Sequence, residues 1–360
     1  MFRPRLLRSR DPTALVPALL SILLMLGIVA CSDDDDDGMS PDPEGDISAD
    51  FAVSLHATGR GMGYWYEAEQ GGFEVQTGIP YEDLSCAGCH TPARCDNCHS
   101  TIPGDNSVPQ AVCLGCHGRQ QAEILKKLPD VHRDAGMLCI DCHTTLEMHG
   151  NGVAHNSMFE EGARETTCET CHEEVASNAA HEQHGTDVNC ASCHMETAVT
   201  CLNCHFRTEV EEGRKQAFTT ASGWVFLGNF NDQVYPMNFQ SVEFDDESFV
   251  AYGPFVGHTI TREARDCADC HGNPAAQTYL DEGSIQVVEW DEAGNTLVPA
   301  KGLIPVPPDF ETALLHDFAT FSDGAWSFLE AGPDRAQMLF GAPLSRAQIE
   351  ALATDQGGGQ

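Results

Sequence analysis

Positive charge is what this sequence has least of. Its 360 residues hold 19 Lys and Arg against 55 Asp and Glu, a formal net charge of −36. Polyphosphate is repelled by such a field, which excludes nucleic acid as a partner. Small anions meet the same long-range repulsion, whereas basic proteins and metal cations are attracted. Arg262, Arg265 and Lys215 are candidates for a local cationic pocket, although solvated surface charge is the ordinary role of such residues. Cysteine outside one repeated pattern is also lacking: of the 17, Cys31 alone stands apart. The irregular spacing of a disulfide scaffold is therefore missing. Chain between the repeats is short as well. Residues 51–275 allow each of eight repeats about 28 residues, too few for a separate side-chain core around each.

The repeat is Cys-x-x-Cys-His. It occurs at Cys86, Cys89 and His90; at Cys95, Cys98 and His99; at Cys113, Cys116 and His117; and at Cys139, Cys142 and His143. It recurs at Cys168, Cys171 and His172; at Cys190, Cys193 and His194; at Cys201, Cys204 and His205; and at Cys267, Cys270 and His271. This is the attachment signature of c-type haem: two thiols add across the vinyl groups and the adjacent His ligates iron. Structural zinc sites also use Cys-x-x-Cys pairs. They do not require a His directly after the second Cys, and here that His is present every time. A thioredoxin-like redox pair would occur once, beside a βαβ pattern. The sequence implies eight covalent haem c groups, with the porphyrins supplying much of the core.

Histidine matches this count. The chain has 16 His, of which eight stand in the repeats. His56, His132, His149, His155, His181, His184, His258 and His316 remain, one for each haem. Imidazole suits iron, so the expectation is two His ligands at most or all of the haems. His132, His184 and His258 each precede a repeat by a short loop. Reaching the far face of their own haem would need a tight wrap, so each is expected to serve a neighbour. His316 is far from any repeat. Met62, Met137, Met148, Met158 and Met195 are alternative axial ligands, which would raise the potential of the iron they bind. No residue marks a catalytic site.

Arg3, Arg5, Arg8 and Arg10 precede an uncharged, mostly apolar run from Thr13 to Ala30. This is the layout of a secretory signal peptide, although the run is nearly long enough to span a bilayer. Ile28-Val29-Ala30-Cys31 resembles a bacterial lipoprotein box. That resemblance implies export, a lipid on Cys31 and attachment to the outer membrane, possible surface display included. Removing residues 1–30 takes away four Arg and one Asp and moves the formal charge from −36 to −39. Asp33 to Asp37 read either as a self-repelling tether or, by resemblance, as an acidic tag that sends some Gram-negative lipoproteins to the cell surface.

The expected fold is a mostly irregular and α multihaem cytochrome with short helices and small β segments in the C-terminal third. Its parts are a signal peptide over 1–30, an acidic linker over 31–50, an octahaem domain over 51–280 and a haem-free region over 281–360. Arg119 to Leu128 and Glu173 to His184 read as helices, the latter placing His181 and His184 one turn apart. Trp224 to Leu227, Val234 to Phe239 and Phe249 to Tyr252 read as strands. Ile285 to Val298 reads as a hairpin, and Phe310 to Phe318 as a helix carrying His316. Ser345 with Gln348 forms a capping-box start for a helix from Arg346 to about Thr354.

The repeats, together with units such as His132–His143, His184–His194 and His258–His271, resemble the multihaem c-type cytochromes of anaerobically respiring bacteria. The resemblance covers about residues 56–275. It implies an electron carrier in anaerobic or extracellular respiration, with other cytochromes and extracellular metal acceptors as partners. The lipoprotein start is most similar to surface electron conduits. Octahaem tetrathionate reductase-like and hydroxylamine oxidoreductase-like proteins are a more distant likeness. They imply an alternative, reduction of nitrite, hydroxylamine or tetrathionate at one five-coordinate haem.

Overall fold

The structure, a computed structural model, describes residues 47–83, 92–101, 108–173, 175, 177–205, 217–322, 325–329 and 332–355. The signal segment, Cys31, the linker up to residue 46 and the first repeat, Cys86 to His90, lie outside the described residues, and the expected linker's last residues begin a helix, Ile47–Ala52. Among the described residues, no helix is long and apolar enough to cross a membrane.

Up to Cys190 the chain is a succession of short helical turns, such as Arg60–Tyr66, Gln110–Cys116 and Gly118–Leu125. Helices this short are marginal by themselves, so side-chain caps set where they begin. Asp130 accepts from the amides of His132 and Arg133, Thr144 from Glu147, and Asn178 from Ala180 and His181. Those caps start the turns that carry His132, His149, His181 and His184, and each contributes about 1 kcal/mol to its turn. The helix expected from Glu173 begins only at Ala179, because Asn178 captures its first amides.

From Ala198 the character changes. A six-stranded sheet is built from β1 (Ala198–His205), β2 (Ala217–Phe230), β3 (Gln233–Phe244), β4 (Glu247–Pro254), β7 (Gly302–Pro305) and β11 (Ala336–Met338). Its order is β11-β4-β3-β1-β2-β7. It is larger than the small β segments expected. The reason lies in two polar dipeptides, Asn231-Asp232 and Asp245-Asp246, whose φ angles of 50° and 59°, then 50° and 65°, are all positive. Two-residue turns of that kind continue the twist of the flanking strands, so β2, β3 and β4 run on as long hairpins. Two smaller sheets follow. Strand β5 (Ile285–Asp291) lies between β6 (Thr296–Pro299) and β8 (Leu314–His316), and β9 (Phe318–Ser322) pairs with β10 (Ala325–Leu329).

The expected helix from Phe310 to Phe318 is a single turn, Phe310–Ala313, after which the chain enters β8. Pairing of Ile285 with Leu314 and of Val288 with His316 overrides the local preference. The helix Arg346–Ala353 does form, with Ser345 and Gln348 capping reciprocally. Residues 281–360 do not stand apart from the preceding chain. Strands β7 and β11 complete the sheet beside β2 and β4, and residues 41–360 make one compact unit.

The apolar core sits in the sheet. Trp224, Phe226, Phe239 and Tyr252 are almost wholly buried and meet edge-to-face or tilted. A polar thread runs through it: Trp224 Nε1 donates to Thr200 Oγ1 at 3.0 Å, and Asn238 Nδ2 donates to the Val199 carbonyl at 2.9 Å. Before Ala191, Tyr66 alone among the described residues is a buried apolar side chain. The part of the chain that holds most of the repeats therefore has almost no core of its own side chains.

Candidate haem-binding site

Two thiols that grip one porphyrin must emerge from one face of the chain. Six of the seven described repeats do this through a helical turn. Cys95–Cys98, Cys190–His194 and Cys267–Cys270 are α-helical, Cys113 and Cys116 end the helix Gln110–Cys116, and Cys139–Asp141 and Cys168–Thr170 are 3-10 turns. Positions three apart share a face in such turns. The seventh, Cys201 to His205, lies on β1. Its backbone is extended, so this repeat differs from the others in local geometry.

The structure brings six repeat histidines each to one outside histidine. Ring centroids are 6.3 Å apart for His56 and His117, 6.0 Å for His99 and His149, and 6.2 Å for His132 and His172. They are 6.2 Å apart for His143 and His258, 6.4 Å for His181 and His194, and 6.1 Å for His184 and His271. A metal–imidazole bond is about 2 Å and the ring centre lies about 1 Å behind its nitrogen, so trans imidazoles on one metal have centroids about 6 Å apart. The residues present thus fit a haem iron held from both sides. His132, His184 and His258 are placed beside His172, His271 and His143, and so beside a repeat other than the one each precedes.

Hydrogen bonds fix the tautomers. His149 Nδ1 donates to the Thr145 carbonyl at 3.1 Å, His194 Nδ1 to Thr261 at 3.0 Å, and His271 Nδ1 to Ala351 at 3.0 Å. His143 Nδ1 donates to Glu147 Oε2 at 2.7 Å. Each bond leaves Nε2 as the lone-pair nitrogen, the usual arrangement of a ligating imidazole. Ala351 belongs to the last helix, so the C-terminal region orients a repeat histidine. Burial, reinforced by neighbouring imidazoles, lowers the pKa of His56, His117 and His258, and burial lowers that of His149, which keeps the neutral form that binds metal. Two carboxylates escaped the sequence reading. Glu147 stands one turn after His143, a spacing legible in hindsight. Although burial raises its pKa, hydrogen bonds from Thr166 and His143 hold it below the usual range. Glu123 is fully buried, accepts from the His258 amide at 3.3 Å and is pushed up to about 7 by burial. No sequence signal marked it.

The thiols fall in a row. Cys98 lies near Cys113 and Cys116, Cys113 lies near Cys139, and Cys142 lies near Cys171. Cys168 lies near Cys190, whose thiol donates to Glu169 Oε1 at 3.6 Å, and Cys193 lies near Cys267 and Cys270. The six helical repeats are therefore neighbours in their sequence order.

Two outside histidines face no second histidine ring among the described residues. His155 stands 3.4 Å from Glu160 Oε2 through Nδ1, and its buried Nε2 has no hydrogen-bond partner. His316, expected as an axial ligand, is engaged otherwise. Its Nδ1 donates to the Leu314 carbonyl at 3.0 Å, and its Nε2 accepts from the Tyr252 hydroxyl at 3.1 Å. Its ring stacks on Phe318 at 5.1 Å and meets the edge of Phe239 at 5.2 Å. It lines a cavity of about 420 Å³ in which it keeps part of its surface, and none of the cavity's lining residues is a cysteine. In this structure both His316 nitrogens are hydrogen-bonded within the protein. Cys31 and the repeat ending in His90 lie outside the described residues, as do the side chains of Cys204 and His205. No protein-family model, curated protein or solved structure matches this chain.

Proposed function

We propose that the chain is an exported multihaem c-type cytochrome that carries electrons through a row of covalently bound haems in anaerobic or extracellular respiration. The observation that carries this reading is the set of six facing histidine pairs at 6.0–6.4 Å. Haem supplies the redox chemistry when bound, and the protein tunes each site through its ligands, its burial and hydrogen bonds such as His143 to Glu147. Neighbouring thiols in sequence order support a row that passes electrons from repeat to repeat. The acidic field favours basic or cationic partners, namely other cytochromes and metal acceptors.

Purified protein should carry eight haems by pyridine haemochrome and by mass, all covalent. A count of about four would refute the assignment of every Cys-x-x-Cys-His as a haem site. Reduced protein should be reoxidised by ferric chelates or by another cytochrome. The reductase reading is favoured by one observation, that both His316 nitrogens are hydrogen-bonded to Tyr252 and Leu314. Turnover of nitrite, hydroxylamine or tetrathionate above about 1 per second would establish it.

Attachment through Cys31 is part of the same proposal. Several acyl chains anchor a protein stably where one does so marginally. Cys31→Ala is expected to release the protein from the membrane fraction. Retention at the wild-type level would make Thr13 to Ala30 an uncleaved anchor instead.

A further inference from the structure

A buried carboxylate stands behind one of the paired histidines, and its consequence rests on the haem reading above. Glu147 lies on the helix Thr145–His149, where its amide donates to the capping Thr144 hydroxyl. Its side chain is only 5% exposed. One oxygen, Oε1, accepts from the amides of Glu165 at 2.8 Å and Thr166 at 2.5 Å. The other, Oε2, accepts from His143 Nδ1 at 2.7 Å. A carboxyl group that accepts from three N–H donors is held ionised. The Thr166 hydroxyl donates to the Cys142 carbonyl at 2.7 Å, which ties the segment that grips Glu147 to the repeat itself.

The neighbours in the thiol row lack this feature. Cys139 lies near Cys113 and Cys142 near Cys171, so the repeats ending in His117 and His172 flank the one ending in His143. Their pairs are His56 with His117 and His132 with His172. Among the described residues, none of these four rings hydrogen-bonds a carboxylate. Asp130 Oδ1 stands 3.9 Å from His132 Nδ1 and is taken by the amides of His132 and Arg133. His149, His194 and His271 donate to neutral carbonyls instead.

We propose that Glu147 is a positioning residue which, through His143, lowers the reduction potential of the haem on Cys139 and Cys142 below those of the haems on either side. An anionic acceptor draws the Nδ1 proton towards itself and makes Nε2 the stronger donor. The electron-rich ligand favours ferric over ferrous iron. An electron then crosses this interior site without resting on it, and reducing equivalents collect on the two flanking sets of haems.

Potentiometric titration of the full-length, haem-loaded protein, followed at the haem α-band, is the test. Glu147→Gln should keep eight haems. One step should move upward, its equilibrium constant for reduction rising about tenfold, which is about 59 mV for one electron. Glu147→Asp, which keeps the charge, should move that step less. The step that moves should be the one missing from Cys139→Ala/Cys142→Ala. Eight haems with every step unmoved in Glu147→Gln would overturn the inference and leave the haem row standing. Wild-type protein without covalent haem would overturn both. If Glu147→Gln fails to fold, the deletions decide. The step lost in Cys139→Ala/Cys142→Ala must lie below those lost in Cys113→Ala/Cys116→Ala and in Cys168→Ala/Cys171→Ala, and a higher position would overturn the proposal.

Discussion

Cys139→Ala/Cys142→Ala protein is expected to lose one haem and to divide the electron path into two separate halves. The thiol row places this repeat in the interior. Cys139 lies near Cys113 on one side, and Cys142 lies near Cys171 on the other. The repeats ending in His99 and His117 would remain on one side, and those ending in His172, His194 and His271 on the other. Electron tunnelling falls steeply with distance, so a missing interior member slows transfer far more than a missing end. Removing both thiols also frees His143 and His258, whose rings are 6.2 Å apart. The measurement is redistribution of electrons among the haems after flash photoreduction. It should slow by more than an order of magnitude in this variant. Cys95→Ala/Cys98→Ala, at the end of the described row, should lose one haem yet keep redistribution among the rest. Equal rates in wild type and the interior variant would refute the row.

The second large effect concerns acid. Burial pushes the His316 pKa down to about 4, against about 6.5 in an unfolded chain. A depressed folded pKa means that the native state resists protonation while the unfolded state accepts it. The stability contributed by neutral His316 is thus fully present above pH 6.5 and is lost as pH falls from there towards 4. The loss amounts to about 2–3 kcal/mol, after allowance for solvent that reaches the cavity. In His316→Phe the group that titrates is gone. At neutral pH that variant should be less stable by about 1–3 kcal/mol, because the buried Tyr252 hydroxyl loses its acceptor. Towards pH 4.5 the difference should shrink or reverse. Unfolding followed by intrinsic fluorescence at neutral and acid pH tests this, and parallel pH slopes for the two proteins would refute it. The haem spectrum should not change in the variant, since both ring nitrogens are bound within the protein.

The proposed haem attachment rests on a sequence pattern because its chemistry is local. Thioether attachment needs two thiols and an imidazole within five residues, and that pattern is complete in the primary structure eight times. The expectation that His132, His184 and His258 serve neighbours was local too, since a short loop cannot carry a side chain around a macrocycle. The last helix was readable from Ser345 and Gln348, which cap each other across one turn. The hairpin from Ile285 onward was readable from its turn, where β5 and β6 pair antiparallel.

What only tertiary structure decided is everything that depends on distant partners. His149 meets His99 across fifty residues, and His271 meets His184 from beyond the sheet. No spacing in the chain encodes those meetings. Nor does spacing reveal that β5 draws Leu314 to His316 into a strand, where Tyr252 and two Phe rings hold the imidazole. A count of histidines treats all sixteen alike. Packing separates a ligand from a core residue, because burial and hydrogen bonding decide whether a lone pair is left to give.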